Sequence, residues 1–257
     1  MTSRTTAPLG APCWADLWTS DVEGSRRFYG ELLGWEAQAP SPEFHGYFMW
    51  TRDGMPVAGG MGTVGDADAG NLWTVYLATD DVAKAVAVAE SEGGRVLTPP
   101  VQVADLGTEA VLEDPTGARI GLWQPETFHG FTTLNEHGSP SWFELQTHDH
   151  DAAVAFYRAV LCCDMVREQG QEAFAYTSLV GTGEAAVAGI MDASSFLPPG
   201  VPSHWRVYWE VDDVAATLAD ARRLGGTVLM DAVETPYGHL GGATDPAGAS
   251  FALRTTR

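Results

Sequence analysis

The sequence predicts an α+β protein of two tandem modules, each built from two strand–helix–strand–strand–strand units. Three observations carry this. First, Trp142-Phe-Glu-Leu-Gln-Thr-His-Asp149 repeats Trp14-Ala-Asp-Leu-Trp-Thr-Ser-Asp21 at an offset of 128 residues. Second, both copies run on into the same amphipathic segment, which carries Phe28-Tyr29 in one and Phe156-Tyr157 in the other. Third, later landmarks recur in the same order: Asp80-Asp81-Val82 with Asp212-Asp213-Val214, Gly93-Gly94 with Gly225-Gly226, and Asp114-Pro-Thr-Gly117 with Asp245-Pro-Ala-Gly248. Ordered self-similarity at one period marks a duplication. The first module spans 10–124, a linker 125–138, and the second module 139–257.

Each element has a local reason. Trp14 to Thr19 alternates between two faces, as a strand does. Asp21 offers an N-cap, and apolar residues at helical spacing follow from Glu23 until Gly34 ends the helix. Phe44 to Arg52 and Met55 to Met61 read as strands about the Asp53-Gly54 turn. Val64 to Gly70 reads as a small acidic loop. Leu72 to Thr79 is a strand, Asp80-Asp81 caps an Ala-rich helix over 82–92, and Gly93-Gly94 stops it. Strands at 95–98, 107–113 and 118–123 close the unit, with Asp114 to Gly117 as the final turn.

Composition narrows the class. Hydrophobic residues at 45% and charged residues at 19% describe a globular protein, and no apolar run approaches the ~20 residues of a membrane helix. Met1 to Pro12 has no apolar core of a signal peptide and reads as a frayed end. Cys13, Cys162 and Cys163 form neither a disulfide framework nor a metal motif, which fits the cytoplasm. A formal charge of −20 opposes phosphate backbones and anionic lipid, so neither nucleic acid nor membrane is expected as a partner. A homodimer is left open.

On these residues the chain resembles the vicinal oxygen chelate superfamily of glyoxalase I, bleomycin-resistance proteins and extradiol dioxygenases. The resemblance covers nearly all of it. The Trp-x-Asp/Glu-Leu openings are similar to the two-module glyoxalase-like or hydroxylase subgroup of actinomycetes. The resemblance implies four βαβββ units whose sheets curl into cups, and a divalent metal held by His, Gln or Glu within a cup. Carried over by position, the metal ligands fall on Trp14, Thr74 and Gly121 in the first half and on Trp142, Arg206 and Ala252 in the second. None is a good ligand, because indole has no free lone pair, guanidinium is cationic, and Gly and Ala have no donor. No metal and no other cofactor is expected. Gly59-Gly60-Met61-Gly62 does not precede a helix and is not a nucleotide loop.

Strand parity gives the cup linings. The first carries Trp14, Asp16, Trp18, Thr74, Tyr76, Gly121 and Trp123; the second carries Trp142, Glu144, Gln146, His204, Arg206, Tyr208, Ala252 and Arg254. Indoles and phenols around a carboxylate suit a flat aromatic ligand, with Gly and Ala at the old metal positions making room for it. Trp14, Trp18, Tyr76, Trp123, Trp142, Gln146, Arg206 and Tyr208 are the expected binding residues. Asp16, Glu144 and His204 are the candidate acids and bases, and a carboxylate among tryptophans should have its pKa raised unless it pairs with a cation or amide. His148 and His150 flank a capping Asp and read as surface residues. Two functions follow: a metal-independent enzyme that tailors an aromatic polyketide-like compound by acid/base, oxygenation or rearrangement chemistry, or a non-catalytic protein that sequesters such a compound.

Overall fold

A computed structural model describes residues 2–63, 70–169, 174–181, 186–198 and 200–256. The loop expected at Val64 to Gly70 falls, except for Gly70, outside the described residues. After a two-residue strand β1 (Thr2–Ser3), the first unit comprises β2 (Pro12–Thr19), α1 (Val22–Leu33), β3 (Glu36–Ala37), β4 (Phe48–Arg52) and β5 (Met55–Gly62). The second comprises β6 (Leu72–Ala78), α2 (Val82–Ser91), β7 (Arg95–Val103), β8 (Gly107–Glu113) and β9 (Arg119–Pro125). Then come β10 (Thr133–Leu134) and the third unit: β11 (Pro140–Thr147), α3 (His150–Leu161), β12 (Met165–Arg167), β13 (Tyr176–Leu179) and β14 (Ala188–Asp192). The fourth has β15 (His204–Glu210), α4 (Val214–Arg223), β16 (Thr227–Thr235), β17 (Gly238–Thr244) and β18 (Ser250–Thr255).

Units pair within a module. The first sheet has the order β3-β4-β5-β2-β6-β9-β8-β7 and the second β12-β13-β14-β11-β15-β18-β17-β16. The opening strands β2 and β6 lie antiparallel at the centre of one sheet, and β11 and β15 do the same in the other. Asp21, Asp81, Asp149 and Asp213 each cap a helix by accepting from the backbone N–H three residues on, which satisfies a donor the helix itself cannot. No helix among the described residues is long and apolar enough to cross a membrane.

The modules meet through the helix-bearing faces of their sheets, with α1 against α4 and α2 against α3. Phe28 meets Phe251 across the junction, and Trp209 packs edge-on against Trp35 and Trp73, with centroids 4.8 and 5.3 Å apart. Inside this apolar seam lie two equivalent polar relays. Trp73 Nε1 donates to Tyr29 Oη, which donates to Asp245 of the other module at 3.3 Å. Trp205 Nε1 donates to Tyr157 Oη, which donates to Asp114 at 2.9 Å. The two Asp residues open the terminal Asp-Pro-x-Gly turns, so the helix of one module is tied to the last hairpin of the other.

Two segments differ from expectation. The amino-terminal stretch is anchored, with β1 paired to β10 and Gly10 N–H donating to Ala78 O. The segment 125–138 is more than a tether: Phe131 is buried, donates its N–H to Cys13 O, and packs its ring on Trp14 and Phe143. An apolar residue placed over exposed aromatic faces is driven into them, and this outweighs the polar character of its neighbours.

Replacing Tyr157 by Phe leaves both Asp114 Oδ2 and Trp205 Nε1 short of a partner. Urea unfolding of Tyr157→Phe should show a loss of about 2 kcal/mol; an unchanged midpoint would mean the relay does not couple the modules.

Candidate functional site

The face of each sheet opposite the helices carries the residues that strand parity assigns to a cup. In the first cup Asp16 is only 8% exposed and is held on Oδ1 by Trp14 Nε1 at 2.8 Å and Tyr47 Oη at 2.8 Å. Trp14 Nε1 also donates to Tyr47 Oη at 2.9 Å, closing a triangle. The triangle needs Gly59: it pairs with Asp16 in register, and a Cβ there would overlap Tyr47 Oη and Asp16 Oδ1. Burial raises the Asp16 pKa to about 7; the Tyr47 bond opposes this, Glu109 adds to it, and the Trp14 and Tyr76 contacts oppose it. Burial likewise raises Glu109, with Tyr76 acting against it, so this phenol stands between two carboxyls.

The second cup repeats the arrangement. Glu144, 6% exposed, accepts from Tyr208 Oη at 2.9 Å, Tyr176 Oη at 3.2 Å and Gln146 Nε2 at 3.2 Å. Trp142 Nε1 donates to Tyr176 Oη at 3.0 Å. Gly189 pairs with Glu144, and a Cβ there would overlap Tyr176 Oη. Each cup therefore holds an indole, a carboxyl, two phenols and a glycine in the same places. The sequence reading missed Tyr47 and Tyr176. They lie 129 residues apart, within the period of the repeat, and that recurrence was the available signal.

The cups differ around this shared centre. In the first, Arg119 lies over the Trp18 ring at 5.2 Å, and Trp123 Nε1 donates to Phe128 O. Burial lowers the Arg119 pKa and the neighbouring Tyr76 opposes this. In the second, Gln146 stands where Trp18 does, and Arg206 pairs in register with Glu144, but no ion pair joins these two described residues. The structure does not bring His204 to Glu144: its Nδ1 is 3.0 Å from Pro202 O, and it pairs in register with Gln146. Burial lowers the His204 pKa, the Pro202 carbonyl opposes this, and Arg206 and His148 add to the lowering. Arg254 lies over Trp142 at 5.9 Å.

Three expectations need correction. The space at Gly121 is not open, because the Tyr76 ring occupies the place a Cβ would take. The strand register sets Tyr76, not Thr74, in the row of Trp14 and Gly121, and Tyr208, not Arg206, in the row of Trp142 and Ala252. His150 is not a surface residue; its Nε2 meets Thr177 Oγ1 at 3.1 Å in the interior, while His148 stays exposed with Nε2 against Val201 O. The helical turn after Asp149 turns His150 inward, which strand alternation could not show.

The sequence model of the Glyoxalase/Bleomycin resistance protein/Dioxygenase superfamily matches residues 13–122 and 139–253. The chain belongs to this superfamily. The glyoxylase-like protein CFP32 of Mycobacterium tuberculosis is 37% identical over 98% of this chain and 97% of its own. The anthracycline biosynthesis protein DnrV of Streptomyces peucetius is 35% identical over 95% of this chain and 92% of its own. Among solved structures, the Mn(II)-bound glyoxalase of Novosphingobium aromaticivorans shares the fold with a TM-score of 0.67 at 16% identity, covering 96% of this chain and 82% of its own. The dioxygenase LapB of Pseudomonas sp. KL28 does so with 0.65 at 15%, covering 97% and 93%.

The superfamily implies a divalent metal, and the residues at its positions do not fit one. Both indoles of the first-strand positions use Nε1 as a donor, leaving no lone pair to give. The Tyr76 ring fills the space a terminal-strand carboxylate would need at Gly121.

Two outcomes follow for Asp16. A carboxyl whose folded pKa is raised from 3.8 to about 7 adds stability while protonated and loses it as pH rises through that window. Denaturation across pH should show the wild type losing, relative to Asp16→Asn, on the order of 4 kcal/mol between about pH 4 and about pH 7; parallel curves would sink this. Tyr47→Phe removes a bond that favours the anion, so NMR titration should find Asp16 ionising at still higher pH.

Proposed function

We propose that the protein is a tailoring enzyme of aromatic polyketide-like metabolism that acts on a planar aromatic or polycyclic small molecule without the superfamily metal. The observation that carries this is the duplicated cup centre, in which Asp16 is held by the Trp14 indole and the Tyr47 phenol, and Glu144 by the Tyr176 and Tyr208 phenols and the Gln146 amide. Asp16, whose pKa burial raises to about 7, is suited to take and return a proton at the ligand. The aromatic rings around it offer stacking surface. Support comes also from the kinship with DnrV and with DauV of Streptomyces sp. strain C5, both named as anthracycline biosynthesis proteins, at 35% and 34% identity. The three unpaired cysteines agree with a cytoplasmic setting.

In this reading Asp16 and Glu144 are the acid/base residues, and Trp14, Trp18, Tyr76, Trp123, Trp142 and Tyr208 form the ligand surfaces. Gln146 orients Glu144, and Arg206 and His204 shape the entrance to the second cup. The chemistry is proton transfer that sets up rearrangement, or that makes a substrate anion able to react with dioxygen.

The test is incubation of chelator-treated protein with polycyclic hydroxyaromatic compounds, read by tryptophan fluorescence and mass spectrometry. Turnover that survives chelation and falls by roughly a hundredfold or more in Asp16→Asn or Glu144→Gln is the expected result. Quenching with every compound recovered unchanged would favour sequestration instead.

A further inference from the structure

Three polar groups of the first cup are shut off from solvent and hydrogen-bonded to nothing in the protein: Trp18 Nε1, Thr74 Oγ1 and Arg119 Nε. Buried donors without acceptors are uncommon, because each costs about 1–3 kcal/mol. Thr74 is 0% exposed. All three stand on one face of one sheet. Thr74 lies opposite Asp16, and the parallel pairing of Tyr76 with Gly121 brings Arg119, two residues earlier, beside Thr74. One row across the sheet therefore reads Gly59, Asp16, Thr74, Arg119, with Trp18 in contact beneath the guanidinium.

The second cup has filled the equivalent needs from within. Gln146, in the place of Trp18, spends its amide on Glu144, and the phenols of Tyr176 and Tyr208 complete that carboxylate. Of the described donors in that cup, Arg206 Nε alone lacks a partner; Glu210 Oε2, an acceptor on the same face of β15, is unmatched as well. The asymmetry points to the first cup as the one with positions kept for a ligand. Three unpartnered polar groups on one face call for several acceptor oxygens on one edge, and a guanidinium stacked on an indole continues a flat surface.

Resting on the reading of the cups as aromatic-ligand sites, we propose that Trp18, Thr74 and Arg119 form a subsite for the oxygen-bearing edge of a planar hydroxyketone or hydroxyquinone, with Asp16 as its proton acceptor. The ligand O–H bond breaks, its electron pair stays on the oxygen under Arg119, and the proton goes to an Asp16 carboxylate oxygen. The row carries one carboxylate charge before the transfer and one phenolate charge after it. No net charge is buried by the step, so Arg119 can stabilise either state. Tyr47 and Trp14 hold Asp16 in place as positioning residues.

Quinizarin, a planar hydroxyquinone whose visible band moves to longer wavelength on ionisation, serves as the probe with the full chain. At a pH above the value of about 7 to which burial raises Asp16, and below the ionisation of the free probe, the wild type should quench its tryptophan emission with quinizarin and shift the band. Arg119→Met should bind roughly tenfold more weakly and abolish the shift, as loss of a charged hydrogen bond requires. Thr74→Val should weaken binding severalfold. Arg119→Lys keeps the charge without Nε and should retain the shift with weaker binding; circular dichroism establishes that each variant is folded. Folded Arg119→Met and Thr74→Val that bind and shift like the wild type would overturn the subsite while leaving the aromatic-ligand reading in place. A wild type that neither quenches nor shifts would overturn both.

Discussion

Tyr29 and Tyr157 sit at the one junction on which the rest of the molecule depends. Each phenol is fixed by an indole of its own module and gives its proton to an Asp in the terminal turn of the other. Burial raises both Asp114 and Asp245, and their backbone and tyrosine hydrogen bonds oppose it, so each carboxyl is committed to a satisfied interior site. A polar pair inside an apolar seam tolerates little displacement, since slippage would leave donors and acceptors unmade. The helices therefore cannot shift without disturbing the last hairpins, and the last hairpins supply β9 and β18, which carry one wall of each cup.

That arrangement explains why the seam and the cups have such different chemistry. On the seam side, alternate residues of the central strands are Trp73, Val75 and Leu77, which must meet helices and the partner module. On the cup side the same strand carries Thr74 and Tyr76, which meet a carboxyl. The carboxyls are stable there because Trp14 and Tyr47 donate to Asp16 and Tyr176 and Tyr208 to Glu144, and Tyr47 and Tyr176 reach them because Gly59 and Gly189 have no side chain in the way. Aromatic residues are thus both the walls of the cup and the hydrogen-bonding groups that make an interior acid tolerable.

Duplication has left two copies of this centre under different local demands. The first keeps an acid near neutrality, a second carboxyl at Glu109 and several unmatched donors. The second keeps Glu144 amid three donors and has gained Arg206 and Arg254 in place of Thr74 and Trp123. His204 and Arg206 set the second cup apart from the first, but His204 turns to a backbone carbonyl instead of to Glu144.

Much of the fold was legible because it rests on local signals that recur. Asp caps, Gly stops, alternation in the opening strands and the Asp-Pro-x-Gly turns each act over a few residues, and the repeat confirms each one by a second copy. Alternation also placed Asp16, Glu144, Trp14, Trp142, Tyr76 and Tyr208 on common faces without any coordinates. What the sequence by itself determined is therefore the duplication, the order of elements and which side chains share a face, because these depend on period and local backbone preference. Tertiary structure alone decided that units pair within modules, that Tyr29 and Tyr157 reach across to Asp245 and Asp114, and that Tyr47 and Tyr176 close the cup centres. It also decided that Phe131 covers Trp14 and that His150 turns inward. These are contacts between segments far apart in the chain, set by strand register and by packing, and no short stretch of sequence carries either.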